Sequence, residues 1–403
     1  MKLSINKWMK TSALLVGAVS LLASCNKDLP KAVPNPAPSH NGSSIMELLN
    51  DANFSILKAA VNRAVPATGS GLVPLNTLLA DKTGEFTFFA PTDAAFAASG
   101  LTSAHISGMR PGMLDTLVRY HLVGGQKFLY NEASTATPFP NFQFPTQLVL
   151  AAPSASLPPG LRMSIFPSKV NGVWVNNIPV VQADQIAANG VIHKPAVVVA
   201  PPTQFLWNRI DTAADLTYLK AAIKRADEGV AAASTLEAAL KNPAANLTVF
   251  APTDAAMQQF LTAQIAGALM AQGMDQPTAV ATATTLASSP DVFTNPALAN
   301  VLTPETVKGL VVYHILGSRA FSVNLPTTLT NKPTLLNTAI AAHPGVGLQA
   351  TFGATGVTTA TVKGAANASA SNVLINPTPT SGTSDQHYIN GVLHKIDQVL
   401  RPQ

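Results

Sequence analysis

Phe86-Thr87-Phe88-Phe89-Ala90-Pro91-Thr92-Asp93-Ala94-Ala95-Phe96 recurs as Leu247-Thr248-Val249-Phe250-Ala251-Pro252-Thr253-Asp254-Ala255-Ala256-Met257, an offset of 161 residues (247 − 86). Two further blocks follow each copy in the same order. Tyr120-His121 is matched by Tyr313-His314, and Asn189-Gly190-Val191-Ile192-His193-Lys194 by Asn390-Gly391-Val392-Leu393-His394-Lys395. Three ordered blocks, each present twice, mark the duplication of a whole domain rather than a short stacked repeat.

Working outward, Phe86–Ala90 and Leu247–Ala251 are short, apolar, rich in aromatic and β-branched residues and stopped by proline, which predicts buried strands. The Pro-Thr-Asp-Ala-Ala that follows predicts a helix start. Thr92 or Asp93, and Thr253 or Asp254 in the copy, cap the free N–H groups of the first turn, and the acid suits the positive helix end. Upstream, Ile45, Leu48 and Leu49, then Ile56, Leu57, Ala60 and Val61, recur at helical spacing, and Leu216 to Ile223 repeats the pattern. After each Tyr-His the composition turns to Thr, Val, Pro, Asn and Gly. Val170-Asn171-Gly172-Val173-Trp174-Val175 sets a turn dipeptide beside alternating residues, a hairpin signal. Helices first and strands after predict an α+β fold rather than a parallel α/β sheet.

Two local expectations concern the closing block. Asn189-Gly190 and Asn390-Gly391 read as turn residues with positive φ entering a last strand. Pro195 stands where the second copy has Ile396, and a residue without an N–H predicts a bulge or an edge position there.

The step from Pro-Thr-Asp to Tyr-His grows by 32 residues in the second copy (193 − 161). The extra segment, near 258–305, is rich in alanine and predicts a helical insertion on the surface. The first domain spans 43–202, closed at Pro201-Pro202, and the second spans 203–403. Each is expected to fold around its own core; 47% hydrophobic residues over 403 positions supply enough material for two.

At the N-terminus, Lys2, Lys7 and Lys10 precede a short apolar run ending Leu22-Ala23-Ser24-Cys25. The run is shorter than the roughly 20 residues that span a bilayer. It reads as a signal peptide, residues 1–24, ending at a lipobox-like site whose lipidated cysteine is Cys25. Residues 25–42 then form a Pro-rich tether, which as polyproline II reaches on the order of 50 Å. Removing three lysines leaves 22 basic against 20 acidic residues. No Lys/Arg run remains, so neither nucleic acid nor a polybasic membrane surface is implied. Cys25 is the only cysteine, so stability rests on packing and no disulfide.

The three blocks resemble the signatures of the fasciclin domain family, over nearly everything from residue 43 to the end. The resemblance implies two tandem fasciclin-like domains, each a β-sandwich-like wedge flanked by helices. It implies adhesion or matrix roles and no settled enzymatic activity. Together with the N-terminus it suggests a bacterial lipoprotein of the cell envelope, at the outer membrane. The expected partners are the membrane, through the N-terminal lipid, and an extracellular protein or polysaccharide.

For chemistry, the shared positions are Thr92, Asp93, Tyr120, His121, Asn189, Gly190 and His193, with Thr253, Asp254, Tyr313, His314, Asn390, Gly391 and His394 in the copy. Two shared histidines per domain and no available cysteine fall short of the three or four ligands a metal needs, so no metal and no cofactor is expected. A buried histidine tying helix to strand is the simpler reading of Tyr-His, and capping that of the aspartates. No nucleophile elbow, His-Glu-x-x-His or phosphate loop is present. These positions are therefore read mainly as structural, with binding as the other role. Surface adhesion leads; an accessory lipoprotein of an outer-membrane nutrient-uptake complex is the alternative, and an enzyme ranks last.

Overall fold

The computed structural model describes residues 41–133, 138–152, 154, 160–354, 356–378 and 381–403. The signal segment, Cys25 and nearly all of the tether lie outside the described residues. In the first copy α1 (Ile45–Leu48), α2 (Ser55–Arg63) and α3 (Leu75–Ala80) lead into β1 (Phe86–Phe89); α4 (Asp93–Ala98), α5 (Ser103–Gly108) and α6 (Pro111–Tyr120) follow. The strands are then β2 (Leu122–Gly124), β3 (Phe144–Ala151), β4 (Leu161–Ile165), β5 (Pro167–Ser168), β6 (Trp174–Val175), β7 (Ile178–Ala187) and β8 (Gly190–Pro195). The Asn171-Gly172 turn joins β5 to β6 as an antiparallel hairpin, Ser168 opposite Trp174.

The second copy repeats the plan with α7 (Leu206–Thr212), α8 (Thr217–Ala226), α9 (Leu236–Lys241), β9 (Leu247–Pro252), α10 (Asp254–Ala271), α11 (Gln276–Leu286) and α12 (Pro304–Tyr313). Its strands are β10 (Ile315–Leu316), β11 (Thr330–Lys332), β12 (Val346–Gly353), β13 (Gly356–Lys363), β14 (Ser371–Asn372), β15 (Gln386–Tyr388) and β16 (Gly391–Ile396). The fold is α+β, helices first, as the order of patterns predicts.

The repeated Phe/Leu-rich strand is buried on both faces because it is the hinge of the sheet. β1 pairs antiparallel with β2 and parallel with β8, the last strand of its domain. β9 does the same with β10 and β16. The first copy forms one sheet in the order β4-β3-β2-β1-β8-β7-β6-β5. In the second copy the equivalent strands split into two sheets, β10-β9-β16-β15 and β11-β12-β13-β14, with Val373 bridging to Ile396.

Pro195 ends β8, which is central rather than an edge. The irregularities expected near it are present on the partner strand: between Val180 and Gln185, β7 carries extra residues opposite Ile192–Pro195. β8 thus keeps its parallel register with β1 while β7 absorbs the mismatch.

The insertion is helical but is more than a surface layer. α4 stops at Gly100, held at φ 70°, whereas α10 meets no such stop until Gly273 at φ 94°; a C-terminal glycine in the left-handed region is what ends each helix. From the added stretch Ile265, Ala283, Ala287, Phe293 and Leu298 enter the same buried group as Leu219 and Ile223. The alanines allow close helix approach.

Each copy buries one apolar group under its helices and another beneath its strands. A further group is shared: Phe166 and Trp174 of the first copy pack with Phe321, Val323 and Val392 of the second. Both copies fall within one unit, His40–Gln403. Each copy thus has buried groups of its own, and this seam adds apolar contact between them.

Candidate functional site

The threonines and aspartates of the first block divide the capping between them. Thr92 caps its own helix, accepting from the Ala95 N–H at 3.3 Å, and Thr253 does so from Ala256 at 3.3 Å. The aspartates reach across to a different helix. Asp93 accepts from Ile56 N–H at 2.9 Å and from the Ser55 hydroxyl at 2.6 Å, at the start of α2. Asp254 accepts from Tyr218 N–H at 3.1 Å and from the Thr217 hydroxyl at 2.7 Å, at the start of α8. Neither helix has a side-chain cap of its own, so the acid supplies it and fixes the packing of two helices together.

The four shared histidines are buried and tied to main chain on both ring nitrogens. Nδ1 of His121 lies 2.8 Å from Leu117 O, and Val199 N–H donates to its Nε2 at 3.0 Å. His314 repeats this with Leu310 O at 2.8 Å and Leu400 N–H at 2.9 Å. A nitrogen that accepts an N–H carries no proton, so both rings are neutral with the proton on Nδ1. His193 accepts from Asp184 N–H at 3.1 Å through Nδ1 and donates to Phe128 O at 2.8 Å. His394 pairs likewise with Asp385 N–H at 3.2 Å and Ala320 O at 2.9 Å. Burial pushes His121, His193 and His314 down to about 4, partly opposed by the carbonyl each donates to. With both nitrogens committed, none can shuttle a proton.

The tyrosines of the second block are buried. Tyr120 bonds Ser164 O and the Asn176 amide, both at 3.3 Å, and burial raises its hydroxyl to about 12. Tyr313 donates to Gly345 O at 2.6 Å and accepts from Ala365 N–H at 2.9 Å.

The Asn-Gly pairs correct one expectation, since none of the four residues has positive φ. Asn189 accepts from Ile45 N–H at 2.8 Å and donates to Leu79 O and Asp81 O, each at 2.9 Å. Asn390 accepts from Leu206 N–H at 3.0 Å and donates to Leu240 O at 2.8 Å. Each amide thus ties the first and third helices of its domain to the last strand. Glycine follows because the parallel neighbour comes too close for a side chain. A Cβ at Gly190 would lie 2.2 Å from Phe86 O, and one at Gly391 would lie 2.4 Å from Leu247 O.

Two features escaped the sequence reading. One is a repeated Asp-Gln, nine residues before the closing histidine in each copy (193 − 184 and 394 − 385). Asp184 and Asp385 both sit at positive φ, 62° and 53°. Their carboxylates order the loops after β2 and β10: Asp184 accepts from Tyr130 N–H at 2.8 Å, Asp385 from Ser322 N–H at 2.6 Å and the Ser322 hydroxyl at 2.7 Å. Ser322, Asp385 and His394 are the residue types of a hydrolase triad. Here the serine bonds the aspartate and not the histidine, so no imidazole faces the hydroxyl as it does in such a triad.

The other is Arg319, buried at the seam where the first copy has Gln126 (319 − 193). Its guanidinium lies 4.6 Å from the Phe166 ring. It donates to Asn246 Oδ1 at 2.8 Å, His387 Nε2 at 2.8 Å, Tyr388 O at 3.1 Å and Ile389 O at 3.0 Å. Burial lowers it to about 10, and burial together with this cation holds His387 well below the usual histidine range. Asn141 of the first copy donates to Arg319 O at 2.8 Å and Asn324 Oδ1 at 2.9 Å. Beside this seam a cleft of about 680 Å3 opens between the first copy, the Pro201-Pro202 linker and α7 and β15 of the second. Among the described residues no group of three or more His, Cys, Asp or Glu side chains could hold a metal ion.

The fasciclin domain profile matches residues 71–198 and again 228–402, well over half of the chain. The chain belongs to the fasciclin domain family. Each match begins after the second helix of its copy, so α1–α2 and α7–α8 precede the matched regions although they carry partners of Asn189, Asp93, Asn390 and Asp254. Among solved structures, a FAS1 domain pair from the insect cell adhesion molecule Fasciclin I is similar over 79% of this chain and 88% of that one, at 14% identity and a TM-score of 0.31. No curated protein sequence matches significantly. Fasciclin domains are associated with adhesion and surface contact.

Proposed function

We propose that this is a lipid-anchored envelope protein whose tandem fasciclin domains make adhesive contact with an extracellular protein or polysaccharide. The observation that carries the reading is the use of the duplicated polar residues. Every shared His, Asp, Asn and Tyr spends its hydrogen bonds inside its own domain, which leaves surface contact rather than bond-making as the work of the molecule. Leu22-Ala23-Ser24-Cys25 supports the anchor and its envelope location.

Two measurements test it. Cells fed a fatty-acid analogue should label the parent and not Cys25→Ala, whose mature product should leave the membrane fraction; equal labelling of both removes the anchor. The full chain in detergent, applied to arrays of glycans and matrix proteins, should be retained saturably on a subset. Retention on none refutes the adhesive role.

A further inference from the structure

The seam cleft holds a cation with nothing to bind. Arg209, on α7, lines it, and its Nε is buried without a hydrogen-bond partner. Arg209 takes part in none of the ion pairs among the described residues. The corresponding position of the first copy is Leu48 (209 − 161, the offset that also matches Leu206 to Ile45), so the charge belongs to the second copy alone.

The neighbouring polar groups are donors too. His387 accepts Arg319 through Nε2, which leaves its proton on Nδ1. Tyr388 also lines the cleft, and burial raises its hydroxyl to about 12, so it keeps its proton at any physiological pH. Asp385, the acid among the lining residues, accepts from Ser322 through both oxygens and makes no ion pair with Arg209. Arg209 Nε is thus left for an acceptor on a ligand that enters the cleft.

We infer that this cleft binds a uronate-bearing oligosaccharide, its carboxylate on the Arg209 guanidinium. A guanidinium and a carboxylate pair as a two-pronged, charge-assisted contact. The volume falls within the roughly 300–1,000 Å3 of small-ligand sites. Its rim carries Asn177 and Gln204, amides suited to sugar hydroxyls, beside the apolar Pro202. An extended peptide fits worse. It would need free main chain on β15 and the residue after it, but Tyr388 O and Ile389 O accept from Arg319, and Ile389 N–H donates to Gln204 O at 2.9 Å.

The inference rests on the surface-contact reading above for its class of ligand, and its test is separate. Calorimetry of the full chain in detergent with trigalacturonic acid should give saturable binding at least tenfold tighter than its methyl ester. Arg209→Gln should lose at least tenfold with an unchanged melting temperature, and Arg209→Lys should lose less. If Arg209→Gln does not fold, the acid-to-ester ratio on the parent decides. Equal binding of acid and ester, no binding of the acid, an unaffected Arg209→Gln, or displacement by a Glu-rich peptide at lower concentration overturns the cleft assignment. Retention of the chain on other array ligands would show that the adhesive reading survives such a result.

Discussion

Lowering the pH from 8 to 5 should destabilise this protein through histidines that are neutral when folded. His121, His193 and His314 stand at about 4 in the folded chain against an ordinary value of 6.5. The folded value is the depressed one, so between pH 6.5 and 4 the unfolded chain binds protons that the folded chain refuses. The stabilising contribution is complete above pH 6.5 and is lost as pH falls toward 4. At pH 5 each histidine costs about 2 kcal/mol, and the three together about 6 kcal/mol, a large part of the roughly 5–15 kcal/mol that holds a typical protein folded. His387 acts in the same direction. Hydrogen bonds hold exposed carboxylates such as Glu47 below their ordinary range, and their contribution is lost in the same direction at the acid end of the window. The assay is urea unfolding at half-unit steps from pH 8 to 4.5. His314→Gln should be weaker than the parent at pH 8 by about 1–3 kcal/mol, since Leu310 O and Leu400 N–H lose their ring partner. Its stability should then fall less steeply, by up to about 1.4 kcal/mol per pH unit within the window. A parent curve that stays flat to pH 5, or a variant curve parallel to the parent's, would refute the reasoning.

Two further outcomes follow from the packing. Gly391→Ala should destabilise the second copy by about 1–3 kcal/mol, because the new methyl meets Leu247 O at 2.4 Å; calorimetry showing an unshifted melt would mean the parallel strands separate freely. Phe321→Ala, removing a fully buried ring 6.1 Å from Phe166 and 5.4 Å from His387, should cost about 3–5 kcal/mol and split one thermal transition into two, whereas a single unchanged transition would show that the seam does not couple the copies.

Much of this arrangement was legible before any coordinates. Strand, proline and capped helix are all local properties, and Phe86–Phe96 and its repeat state them in eleven consecutive residues. What was missed depends on partners distant in the chain. Asp93 sits where a cap belongs, but that it caps α2 instead of its own helix follows from which helices pack together. Gly190 looked like a turn glycine because Asn-Gly usually is one; the demand comes from a carbonyl 104 residues earlier (190 − 86). Asp184 and Asp385 were visible as a repeated Asp-Gln at a constant distance from histidine, a signal lost among more conspicuous blocks. Arg319 and Arg209 could be seen only as departures from symmetry, where the copies hold Gln126 and Leu48. A search for repeats passes over both, because each is present in the second copy alone.

The parallel pairing of an early strand with the last one sets the order in which the chain can fold as it is made. Phe86 cannot complete its ladder until Gly190 has left the ribosome, and Leu247 must wait for Gly391, 144 residues on (391 − 247). Neither copy can close around a half-made sheet, and the shared apolar group at the seam comes last, because it needs Val392. The longer wait in the second copy carries little equilibrium penalty. Lengthening the closure from 104 to 144 residues adds only about 0.3 kcal/mol of chain entropy, since that cost grows with the logarithm of loop length. This is how the second copy could accept a block of extra helices between its two halves and still close on the same strand: the delay falls on the nascent chain, and the finished domain regains more than that amount from the added alanines and phenylalanine it buries.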